Sequence, residues 1–384
     1  MKTFTKEICE NTRDCSLVVY GTGAVGEIVY HGLTYWERKP DFFCDHDPEK
    51  RDFFNITVLK PEDLKHIENL VIIVAFKDFL RSAIEILKKN GITRYYSALN
   101  LIELDIGEKG LSVGAREFLL RKNNYPELVA HAEENDWICL QHVEFMVTER
   151  CTLRCKDCSA LVPYFTCPKD IEMIRACDVF DYVLESLDQI VELSILGGEP
   201  FLNNQICYLI ERYKESNKIG AIVIYTNGTL LPDKKVLQSL TSPKVWVHIS
   251  DYGRYSSKIY KLSRIFEENN IRYFIRKYDK WQASGGFEER AYTTEQLKWM
   301  YSRCFKAKCY SFYNDKLYCC ARASNAAQIG VIPDMDFVDY SIPASVEERK
   351  SKLKMLINKK YINACRFCDG MIAGHADVIP AIQI

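Results

Sequence analysis

Three cysteines on one short loop constrain this chain more than any other feature of its sequence. Cys151, Cys155 and Cys158 have the spacing C-x3-C-x2-C and directly follow the apolar segment 142–147, which the pattern predicts to be a strand. Three thiolates on such a loop can hold three corners of an iron–sulfur cube. Because a cubane takes four ligands, the loop would leave one iron open for a small molecule.

Two other interpretations of this triplet are a zinc site and a set of buried thiols. Structural zinc usually takes four ligands in paired C-x2-C knuckles, whereas the first gap here is three residues. Buried cysteines behave as small hydrophobes, but this loop also carries Arg154 and Lys156, which do not suit a core. The spacing and the charges therefore favour the cluster.

A second motif lies about forty residues further on. Gly197-Gly198-Glu199-Pro200 follows the apolar run 191–195, and together with the triplet it resembles the motifs of the radical S-adenosylmethionine (radical SAM) enzymes. The resemblance implies that Glu199 accepts a hydrogen bond from the ammonium of SAM, while Gly197 and Gly198 let the backbone come close. It also implies reductive cleavage of SAM to a 5′-deoxyadenosyl radical that abstracts hydrogen from a substrate.

Strand and helix signals alternate from His142 onwards and predict an α/β fold. The resemblance implies a partial (β/α)6 barrel, in which sites gather at the carboxyl ends of the strands. Asn227, Ser250 and Asp251 stand at such ends, and the last two are candidates for the ribose hydroxyls or the carboxylate of SAM. Asn227 is a similar candidate, although a strand-ending turn explains it equally well. The strands are predicted at 142–148, 192–196, 221–226, 245–250 and 271–276.

One position departs from the family pattern. Radical SAM enzymes usually carry an aromatic residue just before the third cysteine, where it packs near the adenine, and here Asp157 occupies that place. Tyr164 or Phe165, shortly downstream, could supply the aromatic face instead.

The first hundred residues predict a separate parallel sheet of the Rossmann type. Gly21, Gly23 and Gly26 form a G-x-G-x-x-G motif between a strand and a helix, and Asp45 lies where a carboxylate could take ribose hydroxyls. This part resembles small Rossmann-like domains of sugar-nucleotide and polysaccharide enzymes, which implies a nucleotide or nucleotide-sugar as its ligand. A domain that only packs or senses is the alternative.

A second group of cysteines lies near the end of the chain. Five of them compete for four places in a further [4Fe–4S] cluster, and the resemblance implies a twitch-like or SPASM-like auxiliary domain. Asp315 stands where the family has a glycine, which favours Cys320 over Cys319 as a ligand. A zinc ribbon is the alternative, and an unassigned thiol, Cys309 or Cys319, could donate hydrogen to a substrate radical. The five are Cys304, Cys309, Cys320, Cys365 and Cys368.

Composition excludes several classes of protein. With 51 basic and 52 acidic residues in 384, the net charge is −1, which does not fit the basic footprint of a nucleic-acid binder. The apolar runs have strand length and are too short for a membrane span, and the first residues lack an apolar signal segment. A cytoplasmic location is therefore expected, and in that reducing compartment the sixteen cysteines are read as metal ligands or free thiols rather than as disulfides.

These features predict four regions and one function. We expect a Rossmann-like domain at 1–105, a helical connector at 106–140, a radical SAM partial barrel at 141–300 and an auxiliary-cluster domain at 301–384. The predicted enzyme dehydrogenates or epimerises a small molecule, such as a sugar or nucleotide-linked compound, and takes electrons from a flavodoxin or ferredoxin. The alternatives are a maturase of a ribosomal peptide and a zinc-stabilised nucleotide sensor without radical chemistry.

Overall fold

The computed structural model describes residues 1–47, 49–77, 80–121, 125–372, 374 and 376–384. The described chain forms two compact units, Met1–Trp137 and Ile138–Ile384. Within the described residues, none of the helices has the length and apolarity that a membrane crossing requires.

The first unit is a six-stranded sheet with helices. Its strand order is β3-β4-β2-β1-β5-β6, and every pairing is parallel except that of β3 with β4. The central strands are apolar, and consecutive residues along them are buried, so both faces of the sheet are covered, as in doubly wound sheets. Its elements are α1 Lys6–Asn11, β1 Ser16–Tyr20, α2 Ala24–Tyr35, β2 Phe42–Cys44, β3 Asp52–Phe53, β4 Ile56–Leu59, β5 Leu70–Val74, α3 Leu80–Lys89, β6 Tyr95–Ser97, α4 Leu99–Ile102, α5 Val113–Leu120 and α6 Tyr125–Ala130.

The second unit carries an eight-stranded sheet and a short two-stranded one. Its elements are β7 Cys139–Met146, α7 Met173–Glu185, β8 Gln189–Leu196, α8 Ile206–Tyr213, β9 Ile219–Thr226, α9 Lys234–Ser239, β10 Val245–Asp251, α10 Ile259–Glu268, β11 Tyr273–Lys277, β12 Trp281–Gln282, α11 Thr294–Arg303, β13 Cys309–Tyr313, β14 Lys316–Tyr318, α12 Ala321–Gln328, β15 Phe337–Asp339, α13 Val346–Ile357 and β16 Asp377–Val378.

Six parallel strands form the partial barrel of the second unit. The sheet order is β11-β10-β9-β8-β7-β13-β14-β15, parallel from β11 to β13 and antiparallel beyond it. The five predicted strands are all present, and together with the parallel sheet of the first unit they confirm the α/β prediction. The sixth parallel strand, β13, was not predicted, and it pairs with β7 from far along the chain.

The two faces of this sheet differ in chemistry. Phe145 on β7 and Phe312 on β13 pack against Phe180 on α7, with ring centroids 5.0 Å apart in each pair, in one apolar core. Side chains alternate between the two faces along a strand. On β7, His142 and Glu144 therefore point to the face opposite Phe145, and this face carries polar side chains.

The predicted division into four regions stays a prediction. The structure groups residues 106–137, predicted as a connector, with the first unit. It groups residues 301–384 with the barrel, because β13 continues the parallel sheet and β14 and β15 extend it. The C-terminal region is thus not a compact unit of its own in the described chain.

Candidate functional site

The three cysteines of the triplet lie on the loop that leaves the carboxyl end of β7, which we call the triplet loop (residues 151–158). Each sulfur faces amide donors. The backbone N–H of Leu153 donates to Sγ of Cys151 over 3.4 Å, and the side-chain amide of Gln383 donates to Sγ of Cys155 over 3.3 Å. The amides of residues 160–162 are directed at Cys158. Such donors stabilise the negative charge that a metal-bound thiolate carries.

Burial dominates the acid–base behaviour of these thiols. It raises the pKa of Cys151 to about 12, with further increments from Glu199 and from the other two cysteines, which shows that the four groups lie close together. The pKa values of Cys155 and Cys158 are also raised by burial. The protein alone therefore does not hold thiolates here, but a positive metal centre would.

The two glycines of Gly197-Gly198 bring the end of β8 against the triplet loop. A Cβ on Gly197 would overlap the carbonyl oxygen of Thr148, and one on Gly198 would overlap that of Arg150 and lie 2.8 Å from Cβ of Cys151. Because these positions carry no Cβ, the two segments come close enough for the Gly198 N–H to donate to the carbonyl of Thr148 over 2.9 Å. Larger residues would push the strand end away from the cysteines.

Glu199 is fully buried behind these glycines. Its carboxylate accepts hydrogen bonds from the Phe201 N–H at 3.2 Å, the Thr226 hydroxyl at 2.9 Å and the Asn227 N–H at 2.8 Å. Burial raises the pKa of Glu199 to about 7 despite these donors. The residue predicted to bind the SAM ammonium thus also ties the end of β8 to the end of β9.

Asn227 joins β9 to the triplet loop. Its side-chain amide donates to Thr152 Oγ1 over 3.1 Å and faces Sγ of Cys151 at 3.5 Å. Its side-chain oxygen also accepts from the Thr229 N–H at 3.0 Å, and Gly228 has φ +71°, so the turn that was the alternative explanation is present as well. Asn227 thus both forms the strand-ending turn and lies next to the triplet loop, where it was a candidate for contact with SAM.

Ser250 and Asp251 end β10, as predicted. The carbonyl of Ser250 accepts the hydroxyl of Ser256 at 3.0 Å, and a carboxylate oxygen of Asp251 accepts the Gly253 N–H at 2.8 Å. The triplet loop, Glu199, Asn227 and Ser250 therefore lie at the carboxyl ends of four neighbouring parallel strands, at one edge of the sheet.

An aromatic residue near the cysteines was missed. Tyr252 is partly buried, and Cys155 and Cys158 are among the groups that contribute, after burial itself, to raising its pKa. Its ring packs edge-on against Trp281, with centroids 5.4 Å apart. Tyr164, proposed from the sequence, is instead 47% exposed and packs on Phe287. Phe165 directly follows the short helical turn Val162–Tyr164. No motif marks Tyr252, which only follows a strand end.

A polar network covers the face of the sheet opposite the helices. Lys306 Nζ lies 2.8 Å from Glu144 Oε1, and His142 lies between Glu144 (3.6 Å) and Glu192 (3.4 Å). Glu192 also accepts the hydroxyl of Tyr225 at 2.9 Å. Burial would raise the pKa of Glu144, but the charge of Lys306 and a hydrogen bond with His142 hold it at about 2. The period-two alternation of β7 and β8 was the signal that could have revealed this network.

The second group of cysteines converges on one cavity, which we call the four-cysteine cavity. Cys304, Cys320, Cys365 and Cys368 all line it, together with apolar side chains and Arg322. Backbone amides again face the sulfurs: Gly370 N–H donates to Cys368 at 3.3 Å and Met371 N–H to Cys304 at 3.4 Å. Burial, reinforced by Cys304 and Cys368, raises the pKa of Cys320 to about 12.

The remaining two thiols lie elsewhere. Cys309, included among five possible ligands, does not line the four-cysteine cavity; its sulfur lies within 4.8 Å of ligand atoms of His142 and Glu144 on the polar face. Cys319 is 1% exposed in the apolar core, with its sulfur 3.6 Å from the carbonyl of Leu356. Adjacent cysteines on a chain that leaves a strand point in different directions, so Cys320 alone of this pair reaches the cavity.

The glycine motif of the first unit forms a strand-to-helix turn. Gly21 has φ +128°, where a Cβ would also overlap the carbonyl oxygen of Ala75, and Gly23 caps α2. A Cβ on Gly26 would overlap the carbonyl oxygen of Gly21, so this glycine allows the helix to pack on the turn. These are the backbone roles that the motif predicts.

Asp45 is bound to the same turn. One carboxylate oxygen accepts both the N–H of Thr22, at 3.0 Å, and its hydroxyl, and the other accepts the N–H of Asp47. Burial would raise the pKa of Asp45, but these hydrogen bonds and the charge of Lys50, 3.7 Å away, hold it below its usual value. The carboxylate that was predicted to take ribose hydroxyls thus already orders the glycine turn.

Comparisons with known proteins bear on this site. Residues 142–268 match a family model described as a 4Fe-4S single cluster domain, and that range includes the triplet loop and Gly197-Gly198-Glu199. Over this third of the chain, the sequence is similar to 4Fe-4S single cluster domains, and part of the chain is also similar to part of a GTP 3′,8-cyclase.

The similar proteins cover only part of this chain. The GTP 3′,8-cyclase of Aliarcobacter butzleri is 30% identical over 93 residues, which are 24% of this chain and 28% of the cyclase. That of Helicobacter pylori is 27% identical over 127 residues, 33% of this chain and 39% of the cyclase. The chain thus spans about three tenths of the length of the first curated relatives it matches.

Two solved structures are also similar to part of this chain. Native anSMEcpe with bound AdoMet and Cp18Cys peptide shares 14% identity over 61% of this chain and 89% of that one, with a TM-score of 0.39. BtrN in complex with AdoMet and 2-DOIA shares 15% identity over 61% and 93%, with a TM-score of 0.37. Both likenesses are too distant to assign a substrate.

Proposed function

We propose that this chain is a radical SAM enzyme, which generates a 5′-deoxyadenosyl radical from SAM and abstracts hydrogen from a small, sugar-type or nucleotide-linked substrate, which it dehydrogenates or epimerises. The observation that carries the proposal is the meeting of the triplet loop with Glu199 and Asn227 at one edge of a parallel sheet, together with a separate cavity lined by four cysteines in the same unit. An external flavodoxin or ferredoxin would supply the electrons.

Cys151, Cys155 and Cys158 would hold the first [4Fe–4S] cluster, which when bound supplies the electron that cleaves SAM. Amide donors already face these sulfurs, and Gly198 leaves room beside Cys151 that a Cβ would fill. Glu199 is fully buried with a raised pKa, so the ammonium of SAM would stabilise its ionised form.

Cys304, Cys320, Cys365 and Cys368 would hold an auxiliary [4Fe–4S] cluster. Four cysteines fill all four ligand places, so this cluster would exchange electrons rather than bind a substrate. Arg322 is directed at Cys368 and would offset some of the negative charge of four thiolates. A structural zinc has the same ligand number, and the metal content of the purified protein distinguishes the two.

The polar face of the sheet supports a polar substrate. Carboxylates of Glu144 and Glu192, the imidazole of His142 and the hydroxyl of Tyr225 offer donors and acceptors suited to a molecule rich in hydroxyl groups. The glycine turn of the first unit, with Gly21 and Asp45, supports a nucleotide or nucleotide-sugar ligand there.

Epimerisation would require a hydrogen donor, and Cys309 suits that role better than Cys319. Cys309 lies on the polar face, whereas Cys319 is buried in the apolar core. The thiol would give its hydrogen atom to the carbon radical of the substrate, and one electron from the external donor and one proton would restore the thiol. Cys309→Ala should then cleave SAM but form no epimer, while unchanged epimer formation would remove Cys309 from this role.

The test of the proposed function combines metal content with isotope transfer. The protein purified without oxygen should be brown and carry about eight irons per chain, four for each cluster. With SAM, a reductant and candidate sugars or nucleotide-sugars labelled at single carbons, deuterium should appear in 5′-deoxyadenosine for one label only. A colourless zinc protein without SAM cleavage would contradict the proposal and favour the sensor instead.

A further inference from the structure

The segment 376–384 runs from β12 to the triplet loop. Its first part, β16, pairs with β12, which follows the outermost parallel strand, β11. Lys280 Nζ lies 2.6 Å from a carboxylate oxygen of Asp377 at this end. Its last part lies against the triplet loop, which follows β7. The segment therefore connects two strand ends that are separated in the sheet by β8, β9 and β10.

Backbone hydrogen bonds fix the last part of this segment on the triplet loop. The N–H of Lys156 donates to the carbonyl of Ile382 over 2.7 Å, and the N–H of Ile384 donates to the carbonyl of Arg154 over 2.9 Å. These two bonds surround an antiparallel bridge between Cys155 and Gln383. Gln383 is thus held opposite the middle cysteine of the triplet.

The side chain of Gln383 uses both ends of its amide at this position. Its oxygen accepts the N–H of Arg154 at 2.7 Å, while its nitrogen donates to Sγ of Cys155 at 3.3 Å and to the carbonyl of Ala381 at 2.7 Å. The accepted bond fixes the orientation of the amide, so that the NH2 group faces the sulfur. Cys155 is only 7% exposed, and water is therefore a poor substitute for this donor.

A donor on a ligand sulfur affects the two oxidation states of a cluster unequally. Reduction adds an electron, and part of its charge resides on the sulfurs, so a hydrogen bond to a sulfur stabilises the reduced state more than the oxidised one. Hydrogen bonding to the sulfurs is one of the factors that set cluster potentials. Removing the donor should therefore lower the potential.

We propose that Gln383 is a positioning residue that raises the reduction potential of the cluster held by the triplet loop, through its hydrogen bond to Cys155. The inference rests on the proposed function, because it requires the three cysteines of this loop to be cluster ligands. It assigns a role to a residue outside both motifs, on a segment that no motif marks.

Two substitutions separate the donor from the rest of the side chain. Gln383→Glu keeps an oxygen for the Arg154 N–H and loses the NH2 donor, whereas Gln383→Leu loses both and adds no charge. Ile382→Ala is the matched control, since the side chain of Ile382 is 42% exposed and its carbonyl is unaffected. The reduction potential is measured by an anaerobic potentiometric titration of the full chain. Electron paramagnetic resonance monitors the titration through the signal of the reduced cluster that changes when SAM is added.

At a fixed potential, the ratio of reduced to oxidised cluster should fall about tenfold in both Gln383 variants, equivalent to a shift of about 59 mV for a one-electron couple. Ile382→Ala should titrate like the wild type. A loaded Gln383→Glu protein with an unchanged potential would overturn the inference alone, even if Gln383→Leu failed to take up iron. A wild-type protein without any SAM-responsive signal would overturn the proposed function and the inference with it.

Discussion

The triplet loop and the four-cysteine cavity present the same ligand atom in two different ways. The first takes three cysteines from eight consecutive residues, and the end of β8 can lie against them only because Gly197 and Gly198 have no side chains. The second takes four cysteines from three distant segments and encloses them with apolar side chains. The difference teaches that a local set can leave a coordination place open for SAM, while a set closed by the fold is suited to electron exchange.

The largest effect is expected at the triplet loop. Replacing Cys151, Cys155 and Cys158 together by alanine should abolish 5′-deoxyadenosine formation and remove about four irons per chain, because the whole ligand set is lost. Cys167→Ala is the control, since Cys167 is exposed and follows closely in the chain. SAM cleavage that survived in the triple variant, measured by chromatography, would show that the open site lies elsewhere.

The adjacent pair Cys319 and Cys320 tests the closed site. Cys320→Ala should lose about four irons and the product while still cleaving SAM, because only Cys320 lines the cavity. Cys319→Ala should keep its iron and lose about 1–2 kcal/mol of stability, since it removes a buried sulfur from the core. Iron analysis and thermal unfolding of the two proteins distinguish them; equal iron loss would contradict the assignment.

Glu199, which lies between the triplet loop and β9, should make the free energy of unfolding depend on pH. Its pKa is raised by burial to about 7, so between about pH 4.5 and 7 the folded apo-protein keeps a proton that the unfolded chain has lost. The free energy of unfolding should therefore fall as pH rises through this window, by about 3 kcal/mol in total.

Glu199→Gln should lack this slope, because it carries no ionisable group, and it should bind SAM more weakly. The exposed Glu347→Gln serves as the control. Urea unfolding at several pH values measures the slope, and an unchanged slope in Glu199→Gln would contradict the buried, raised carboxyl.

The smallest effect on either cysteine set is expected from Asp45, which lies in the other unit. Asp45→Asn should destabilise the first unit by about 1 kcal/mol, because it weakens the bonds to Thr22. The pKa of Asp45 is lowered in the folded state, so this difference should be present above about pH 4 and disappear as the pH falls below it. Iron content and SAM cleavage should not change, and a loss of either would contradict this independence.

Local patterns predicted much of this molecule and long-range pairing explains the rest. The triplet and Gly197-Gly198-Glu199 could be read from the sequence because each is a contiguous motif after an apolar strand. The position of β13 beside β7 could not, since five residues carry too little pattern to identify a partner about 170 residues away.

The same limit applies to individual side chains. Spacing left Cys309 among five possible ligands, and only the strand on which it lies decides that it faces the polar side with His142. Tyr252 and Gln383 approach the triplet from a turn and from a distant segment, and neither has a sequence signature. Their roles depend on how the chain folds around the cysteines.

The central claim is that one cysteine set is open to SAM and the other is closed. Electron paramagnetic resonance of the reduced protein, recorded with and without SAM, tests it most directly when the two sets are removed in turn. The account predicts that the protein without Cys304, Cys320, Cys365 and Cys368 keeps a signal that shifts on SAM addition, and that the protein without Cys151, Cys155 and Cys158 keeps one that does not. A SAM-induced shift in the second protein, or its absence in the first, would contradict it.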